Sequence, residues 1–503
     1  MKSIFKAVAI VTIFSIITRA LGFLFRIFLS RKLGAVGLGI FQLSSSILGL
    51  FLTLVSSGLP LTTAKLVSKY NTENNLLKKS KVVTTSLLIA ISVAVISSFT
   101  LYILKDFWNI ILTNSQSVEV LLILIPSILF SAIYAVFRGA LWGDGDYFNC
   151  GLTELIEQIV RFTFTFIFLL NITDTFVAVK NSALAFNLTC LISAIITILI
   201  YFKKNGKLCF KKGEYKSIIK SSAPITGIRV ANSFVQPLTS LIIPNMLILS
   251  GFSATDAIAS FGVIMGMTFP LLFVPMTVVG SLSMVLIPSI SSLISKKNYS
   301  EIENNITQSL QISMFISIIF VVLYSSVGDL IGIILYNNAM SGILLQLAGV
   351  CVMPITLCNL TGSLLDALNL EMKSFINYII GSIVLFVCLI ALTPIIGINS
   401  VIVSFFLSMS TISLLNLVKI KKSLPNFHFK FVKTILKYLS IALPCSVLGN
   451  FVSKICLNFF TQFFSGLVGG LAAIISALVL ISLFNLFNLT QLKQLLKHKK
   501  MST

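Results

Sequence analysis

The stretch that decides the fold is the first apolar run, residues 5–29, which reads FKAVAIVTIFSIITRALGFLFRIFL. It is long enough for a helix across a bilayer, which takes about 20 residues. Two arginines, Arg19 and Arg26, interrupt it. Because seven residues make about two helical turns, both side chains point to one side of the helix, roughly 10 Å apart.

A charge at the bilayer centre costs about 2.5–3.5 kcal/mol, so such side chains usually face a cavity and meet a partner there. Arg19 is deep from either end of the run, which favours a cavity position. Arg26 is nearer to one end, where snorkelling to the interface is the alternative. Together the two arginines indicate a site for something anionic.

The rest of the 503-residue chain repeats this apolar character, with 56% hydrophobic and 10% charged residues. A soluble chain of this length would form several domains with charged surfaces. The sequence therefore predicts an all-α integral membrane protein with about fourteen transmembrane helices. The predicted spans are residues 5–29, 39–59, 82–104, 119–141, 154–172, 181–202, 217–250, 257–294, 305–330, 341–368, 373–393, 396–418, 433–457 and 463–488.

The distribution of basic residues predicts the orientation. With the N-terminus in the cytoplasm, 28 lysines and arginines fall on the cytoplasmic side and five on the opposite side. Cytoplasmic loops are the ones that carry excess Lys and Arg, so both termini are expected in the cytoplasm. The net charge of +22 is then explained by basic loops beside anionic membrane lipids, and nucleic acid is not expected as a partner.

Motifs for catalysis and for cofactors are missing from the sequence. There is no Walker A sequence, GxSxG, HExxH or glycine-rich dinucleotide turn. The eight cysteines show no CxxC or Cys/His spacing, which argues against a metal site. We therefore expect a protein that is not an enzyme and that has no cofactor and no metal.

Two faint internal repeats suggest two halves. Residues 34–69 and 251–296 each begin with a small-residue turn, continue through a Gly- and Ser-rich span, and end with proline, small residues and lysine. Repeats of this kind are the usual build of transporters. We predict two pseudo-symmetric six-helix halves around a central cavity, residues 1–204 and 205–430, followed by two extra helices and a basic cytoplasmic tail in residues 431–503.

Further polar residues within the predicted spans are candidates for the same cavity. Glu157 and Arg161 are spaced i, i+4 and can pair on one helix face, either as a cavity ion pair or as a satisfied pair that joins two helices. Arg229, Asn232 and Gln236 lie on one face of the seventh span. Arg229 makes a third arginine beside Arg19 and Arg26, and three planar guanidinium groups suit the oxygens of a pyrophosphate. The predicted substrate-binding set is Arg19, Arg26, Arg229, Asn232 and Gln236.

Four motifs resemble the stage V sporulation protein B group, which belongs to the polysaccharide transporter and lipid II flippase branch of the multidrug/oligosaccharidyl-lipid/polysaccharide superfamily. They are TRALGFLFRIFLSRKLGAVGLGIFQ (18–42), SGLPLTTAKLVSKY (57–70), FRGALWGDGDYF (137–148) and ELIEQIVR (154–161). The resemblance implies an alternating-access exporter with a cationic cavity. It also implies that Arg19 and Arg26 match the arginines that line this cavity in the lipid II flippases.

The function that the resemblance implies is export of an undecaprenyl-pyrophosphate-linked sugar across the bacterial plasma membrane, such as a peptidoglycan precursor for the cell wall or the spore cortex. Its expected partners are the lipid-linked oligosaccharide, membrane lipids and cell-wall polymerases. Two alternatives remain: a multidrug/cation antiporter of the same fold, which needs an acidic cavity, and a membrane scaffold for cell-wall synthesis that transports nothing.

Overall fold

The computed structural model describes residues 2–112, 114–210, 215–295, 297–424 and 431–484. Throughout these residues the chain is helical, with no strand. It forms two compact units, Met1–Gly266 and Met267–Thr503.

The first unit contains eleven helices. They are α1 (Lys2–Ser56), α2 (Gly58–Thr72), α3 (Leu76–Ile103), α4 (Lys105–Ile111), α5 (Ser115–Leu124), α6 (Pro126–Gly143), α7 (Tyr147–Phe168), α8 (Thr175–Lys203), α9 (Tyr215–Ser233), α10 (Val235–Leu249) and α11 (Ala254–Phe261). A π-helical stretch, Gly262–Thr268, follows α11. The second unit contains α12 (Phe269–Leu272), α13 (Val274–Ser295), α14 (Tyr299–Tyr336), α15 (Ala339–Ala348), α16 (Val352–Ala367), α17 (Glu371–Ile396), α18 (Asn399–Ser423), α19 (Phe431–Cys456) and α20 (Gln462–Leu483).

Twelve helical segments of the described chain are long and apolar enough to cross a membrane. One of them, Val11–Thr72, contains two of the predicted spans. Helix α7 is a further predicted span, but it carries the three charged residues Glu154, Glu157 and Arg161, more than a simple apolar span has. With these two adjustments the helices match the fourteen predicted spans. The prediction of an all-α membrane protein with many spans is confirmed.

A glycine separates the two spans within α1. Gly34 has φ 64° and ψ −173°, which interrupts the helical backbone. This region of the backbone map is essentially restricted to glycine, since a side chain there clashes with the neighbouring peptide groups. The first two predicted spans are therefore joined by a kink at a single residue.

Prolines divide two of the predicted spans. The span predicted at 217–250 is two helices, α9 and α10, because Pro237 has no N–H to donate to the carbonyl of Ser233. The span predicted at 257–294 is interrupted by the π-helical stretch before Pro270 and by a second break at Phe273 before Pro275. In each case the break precedes a proline by two to four residues, where the ring conflicts with the preceding turn.

Polar contacts hold the second unit together at its core. The Asn377 amide of α17 donates to Asn416 of α18 at 2.8 Å, and Asn416 donates to Thr361 of α16 at 3.2 Å. Both asparagines are buried, and side-chain hydrogen bonds of this kind join helices in an apolar environment. Helices α19 and α20 pack on each other and on α14, where Asn450 donates to the carbonyl of Ser326.

The two compact units have different boundaries from the halves predicted from the sequence. The spans predicted at 217–250 and the beginning of 257–294 pack within the first unit. The division into residues 1–204, 205–430 and 431–503 was based on the internal repeat, and it stays a prediction. The basic tail after residue 484 lies outside the described residues.

The kink in α1 provides a test of the fold. Gly34→Ala should destabilise the protein by about 1–3 kcal/mol, because alanine must adopt a backbone conformation suited to glycine. The matched control is Gly49→Ala in the same helix, where an added Cβ meets no atom within 4 Å and the backbone is helical. It should be neutral or stabilising by up to about 1 kcal/mol. Thermal denaturation in detergent measures both, and equal effects would contradict the proposed strain at Gly34.

Candidate functional site

Arg19 and Arg26 lie in the first part of α1, before the kink, so the helical register between them is unbroken. Both side chains are exposed on the surface of the protein. On the neighbouring face of α1, Phe14 packs against Phe148 and Phe28 against Phe166, with ring centroids 5.5 and 5.6 Å apart. At about 100° per residue the arginines lie more than a quarter-turn away from this face. They therefore lie on a different face of α1 from these aromatic contacts.

A separate cavity of about 450 Å³ lies within the first unit. It is lined by the end of α1 and by α2, α6, α7 and α8. Glu157 and Arg161 line it, whereas Arg19 and Arg26 do not. A volume of this size is in the range of small-molecule pockets, about 300–1,000 Å³.

Three charged side chains line this cavity, Arg138, Glu157 and Arg161, and together with Glu154 they form two ion pairs. Arg161 Nη2 lies 2.5 Å from Glu157 Oε1 within α7, and Arg138 of α6 pairs with Glu154 of α7. We call these four residues the charge quartet. Its formal charges cancel, and this balance allows four ionised groups to sit among apolar helices. The Arg161 guanidinium also lies 5.2 Å from the centre of the Phe186 ring, a cation–π contact.

The pair of Arg138 and Glu154 is not among the site residues predicted from the sequence. The signal that could have found it is the corner at residues 144–146. Helices α6 and α7 enter and leave this corner, and the two residues lie at comparable distances on either side of it. Two helices joined by such a short turn lie beside each other, so the side chains meet across them.

Glycines explain how the cavity walls come together. A Cβ at Gly139 of α6 would lie 2.6 Å from the carbonyl oxygen of Pro60, and one at Gly143 would lie 2.5 Å from that of Ala64. Helices α2 and α6 thus approach with backbone against backbone, which small residues permit. Pro60 and Ala64 line the cavity opposite Arg138 and Trp142 as a consequence.

The Gly/Asp corner after α6 is a structural turn. Gly145 has φ 75°, and Asp146 caps the N-terminus of α7 by accepting from the Asn149 backbone N–H. Asp144 pairs with Lys79 at 2.5 Å, and Asp146 with Lys204 at 3.3 Å. Burial acts to raise the pKa of Asp146, but the hydrogen bonds from Asn149 and the charge of Lys204 outweigh it and lower that pKa. These contacts fix the end of α6 against α3 and α8.

The remaining predicted residues are on α9 and α10 of the same unit. Arg229, Asn232 and Gln236 are exposed. Phe234, between the two helices, keeps helical dihedral angles (φ −63°, ψ −28°), so the register continues across the break. Helix α9 contacts α1, α2 and α3. The structure thus places all three predicted arginines on helices of one unit, while their role as a joint site stays a prediction.

The helical, multi-span architecture defines an integral membrane protein, and comparison with known proteins identifies its family. Residues 4–294 match the family described as polysaccharide biosynthesis protein. This match covers more than half of the chain, so the chain belongs to that family. The resemblance seen in the sequence motifs is confirmed.

Individual relatives cover most of the chain. Stage V sporulation protein B of Bacillus subtilis (strain 168) is 23% identical over 438 residues, which cover 84% of this chain and 85% of that protein. Lipid II flippase MurJ of the same organism is 22% identical over 424 residues, 76% of each. A solved structure of lipid II flippase MurJ in an inward closed conformation has a TM-score of 0.68 at 18% identity, covering 94% of this chain and 98% of that chain. The structural likeness shows the fold.

Removal of one member of the ion pair in α7 should destabilise the protein. Glu157→Gln leaves Arg161 without its carboxylate in a site where both side chains are about 20% exposed, and we expect a loss of about 1–3 kcal/mol. The matched control is Glu73→Gln, which breaks another i, i+4 pair, Lys69 with Glu73, whose side chains are 61% and 45% exposed. It should change stability by less than about 0.5 kcal/mol. If denaturation shows equal losses of stability in the two variants, the pair in α7 contributes no more to stability than an exposed pair.

Proposed function

We propose that this protein is a flippase that exports a lipid-linked oligosaccharide across the bacterial plasma membrane by alternating access. The observation that carries the proposal is the pair of exposed arginines on one face of α1, in an apolar span of a chain that belongs to the polysaccharide biosynthesis protein family. Its relatives include a protein named as a lipid II flippase. Transport of a related lipid-linked sugar is the function most consistent with both.

The chemistry of the arginines fits a pyrophosphate-linked carrier. A guanidinium offers parallel N–H donors that match phosphate oxygens, and Arg19 and Arg26 present two of them roughly 10 Å apart. Arg229, with Asn232 and Gln236, is the proposed contribution from α9 and α10. Like charges held close together repel, so the anionic substrate would stabilise the conformation that brings them near each other. A ligand shifts a conformational equilibrium through such a difference in affinity.

The proposed cargo is an undecaprenyl-pyrophosphate-linked sugar, and more narrowly a peptidoglycan precursor such as lipid II. The relatives support this class, since one is named for lipid II and another for sporulation. A role in the spore cortex follows from the second name, with cell-wall polymerases as the consumers of the product. The proposed topology has both termini in the cytoplasm, in agreement with the excess of basic residues on that side.

The multidrug/cation antiporter is a weaker candidate because of the charges in the first unit. A cation site needs an unbalanced acidic group within the spans. In the described part of this unit, the apolar part of α1 carries arginines, and Glu157 at the cavity and Glu154 of the same helix are each paired with an arginine. These charges favour an anionic substrate for the side of α1 that carries Arg19 and Arg26, which we call the arginine face.

Translocation of a lipid-linked pyrophosphoryl sugar in proteoliposomes tests the proposal. Arg19→Ala and Arg26→Ala should each reduce the rate about tenfold or more, because a hydrogen bond to a charged group contributes about 1.5–3 kcal/mol. The matched control is Lys32→Ala, an exposed cation on the same helix just beyond the apolar run. It should leave the rate nearly unchanged. A wild-type protein that moves no such lipid, or arginine variants that transport normally, would overturn the flippase proposal.

The direction of the membrane potential should affect the rate. Export carries negative charge toward the positive outer side, which gains about 2.3 kcal/mol per charge for each 100 mV. A potassium diffusion potential, positive on the side to which the lipid moves, should therefore accelerate transport, and the reversed potential should slow it. A rate independent of the potential would mean that compensating ions move with the substrate.

A further inference from the structure

The cavity in the first unit has a chemistry unlike that of the arginine face. Its charged lining residues are Arg138, Glu157 and Arg161, and each guanidinium already has a carboxylate partner in the quartet. Several polar atoms around it are buried without a hydrogen-bond partner among the described residues. They are Arg138 Nε, Arg161 Nε and Ser193 Oγ. A buried donor without a partner costs about 1–3 kcal/mol, so three of them in one cavity indicate a ligand rich in hydrogen-bonding groups.

Aromatic rings form part of the same walls. Tyr134, Trp142 and Phe186 all line the cavity, and Trp142 is 41% exposed. An aromatic ring has a negative face, which attracts the weakly positive C–H groups of an otherwise polar molecule. The combination of ring faces with donors and carboxylates suits a ligand that has both C–H surfaces and hydroxyl groups.

The charge balance narrows the class of ligand. Each guanidinium that lines the cavity is neutralised by a carboxylate partner, so neither an anion nor a cation gains from the quartet as a whole. A neutral molecule can accept from the unpartnered Arg Nε atoms and donate to the Glu157 oxygens without upsetting the pairs. A volume of about 450 Å³ leaves room for a small ring compound.

We propose that this cavity binds a neutral pyranose sugar, and that the sugar is a unit of the lipid-linked oligosaccharide whose export is proposed above. The inference rests on that proposed function for the identity of the cargo. It assigns the sugar to the charge quartet and its aromatic walls, and the pyrophosphate to the arginine face of α1. The two parts of the substrate would then be recognised by different residues.

Trp142 provides a direct readout of sugar binding. The chain has two tryptophans, and Trp108 is on α4, away from the cavity lining. In the variant Trp108→Phe the emission comes from Trp142 alone. For a weak dissociation constant of about 1 mM, the sugar concentration must reach about ten times that value. Titration of this purified variant with N-acetylglucosamine over that range should give a saturable change in emission. Glycerol at the same concentrations should not.

Variants then locate the site. The double variant Glu157→Gln/Arg161→Gln keeps the net charge and should weaken sugar binding about tenfold or more, as expected for a lost charge-assisted hydrogen bond. The matched control Lys69→Gln/Glu73→Gln removes an exposed pair outside the cavity and should not change binding. If Trp108→Phe does not fold, calorimetric titration of the wild-type protein against Trp142→Phe measures the same affinity.

The outcomes separate this inference from the flippase proposal. Arg19→Ala should lose translocation but keep the sugar titration, because Arg19 does not line the cavity. An emission change with sodium pyrophosphate but not with the sugar would overturn the sugar assignment. So would the absence of any sugar response, or a response that the quartet variant leaves unchanged. Normal translocation by Arg19→Ala would overturn the flippase proposal and leave sugar binding to the cavity intact.

Discussion

The cost of an unpaired charge inside an apolar helix bundle governs the structure of the first unit. Helix α7 carries Glu154, Glu157 and Arg161 within 22 residues, which is too much charge for a helix that faces lipid on its own. The structure resolves this by pairing within the helix and by adding Arg138 from α6. Four ionised groups with no net charge can remain inside, and their need for each other fixes how α6 and α7 lie side by side.

That arrangement in turn depends on glycine. Arg138 reaches Glu154 from a helix whose next residue, Gly139, lets the backbone of α2 come within contact distance. The corner that follows is held at both ends, by Lys79 on α3 and by Lys204 directly after α8, each paired with one of its aspartates. The FRGALWGDGDYF motif therefore combines three physical requirements: a charge for the quartet, glycines for close packing, and aspartates that anchor the turn.

The sequence was sufficient for the features that depend on local pattern. The apolar runs predicted the helices. The spacing of Glu157 and Arg161 predicted that they could pair, and in the structure Arg161 Nη2 lies 2.5 Å from Glu157 Oε1. Features that depend on packing were beyond it. Nothing in the hydropathy of residues 217–250 indicates that α9 packs against α1, α2 and α3. The pairing of Arg138 with Glu154 required knowledge of the corner, and the cavity required the close approach of α2 to α6.

The separation between the exposed arginines of α1 and the balanced quartet has a consequence for selectivity under the proposed function. A site that binds only the pyrophosphate would accept any lipid with that group, since phosphate oxygens look alike to a guanidinium. A site that binds only the sugar would gain little from the membrane potential, because a neutral group carries no charge across it. With the two tasks assigned to different helices of one unit, the anion couples transport to the potential and the sugar decides which lipid is accepted. A substrate must satisfy both to shift the conformational equilibrium fully, because each contact contributes only its own difference in affinity.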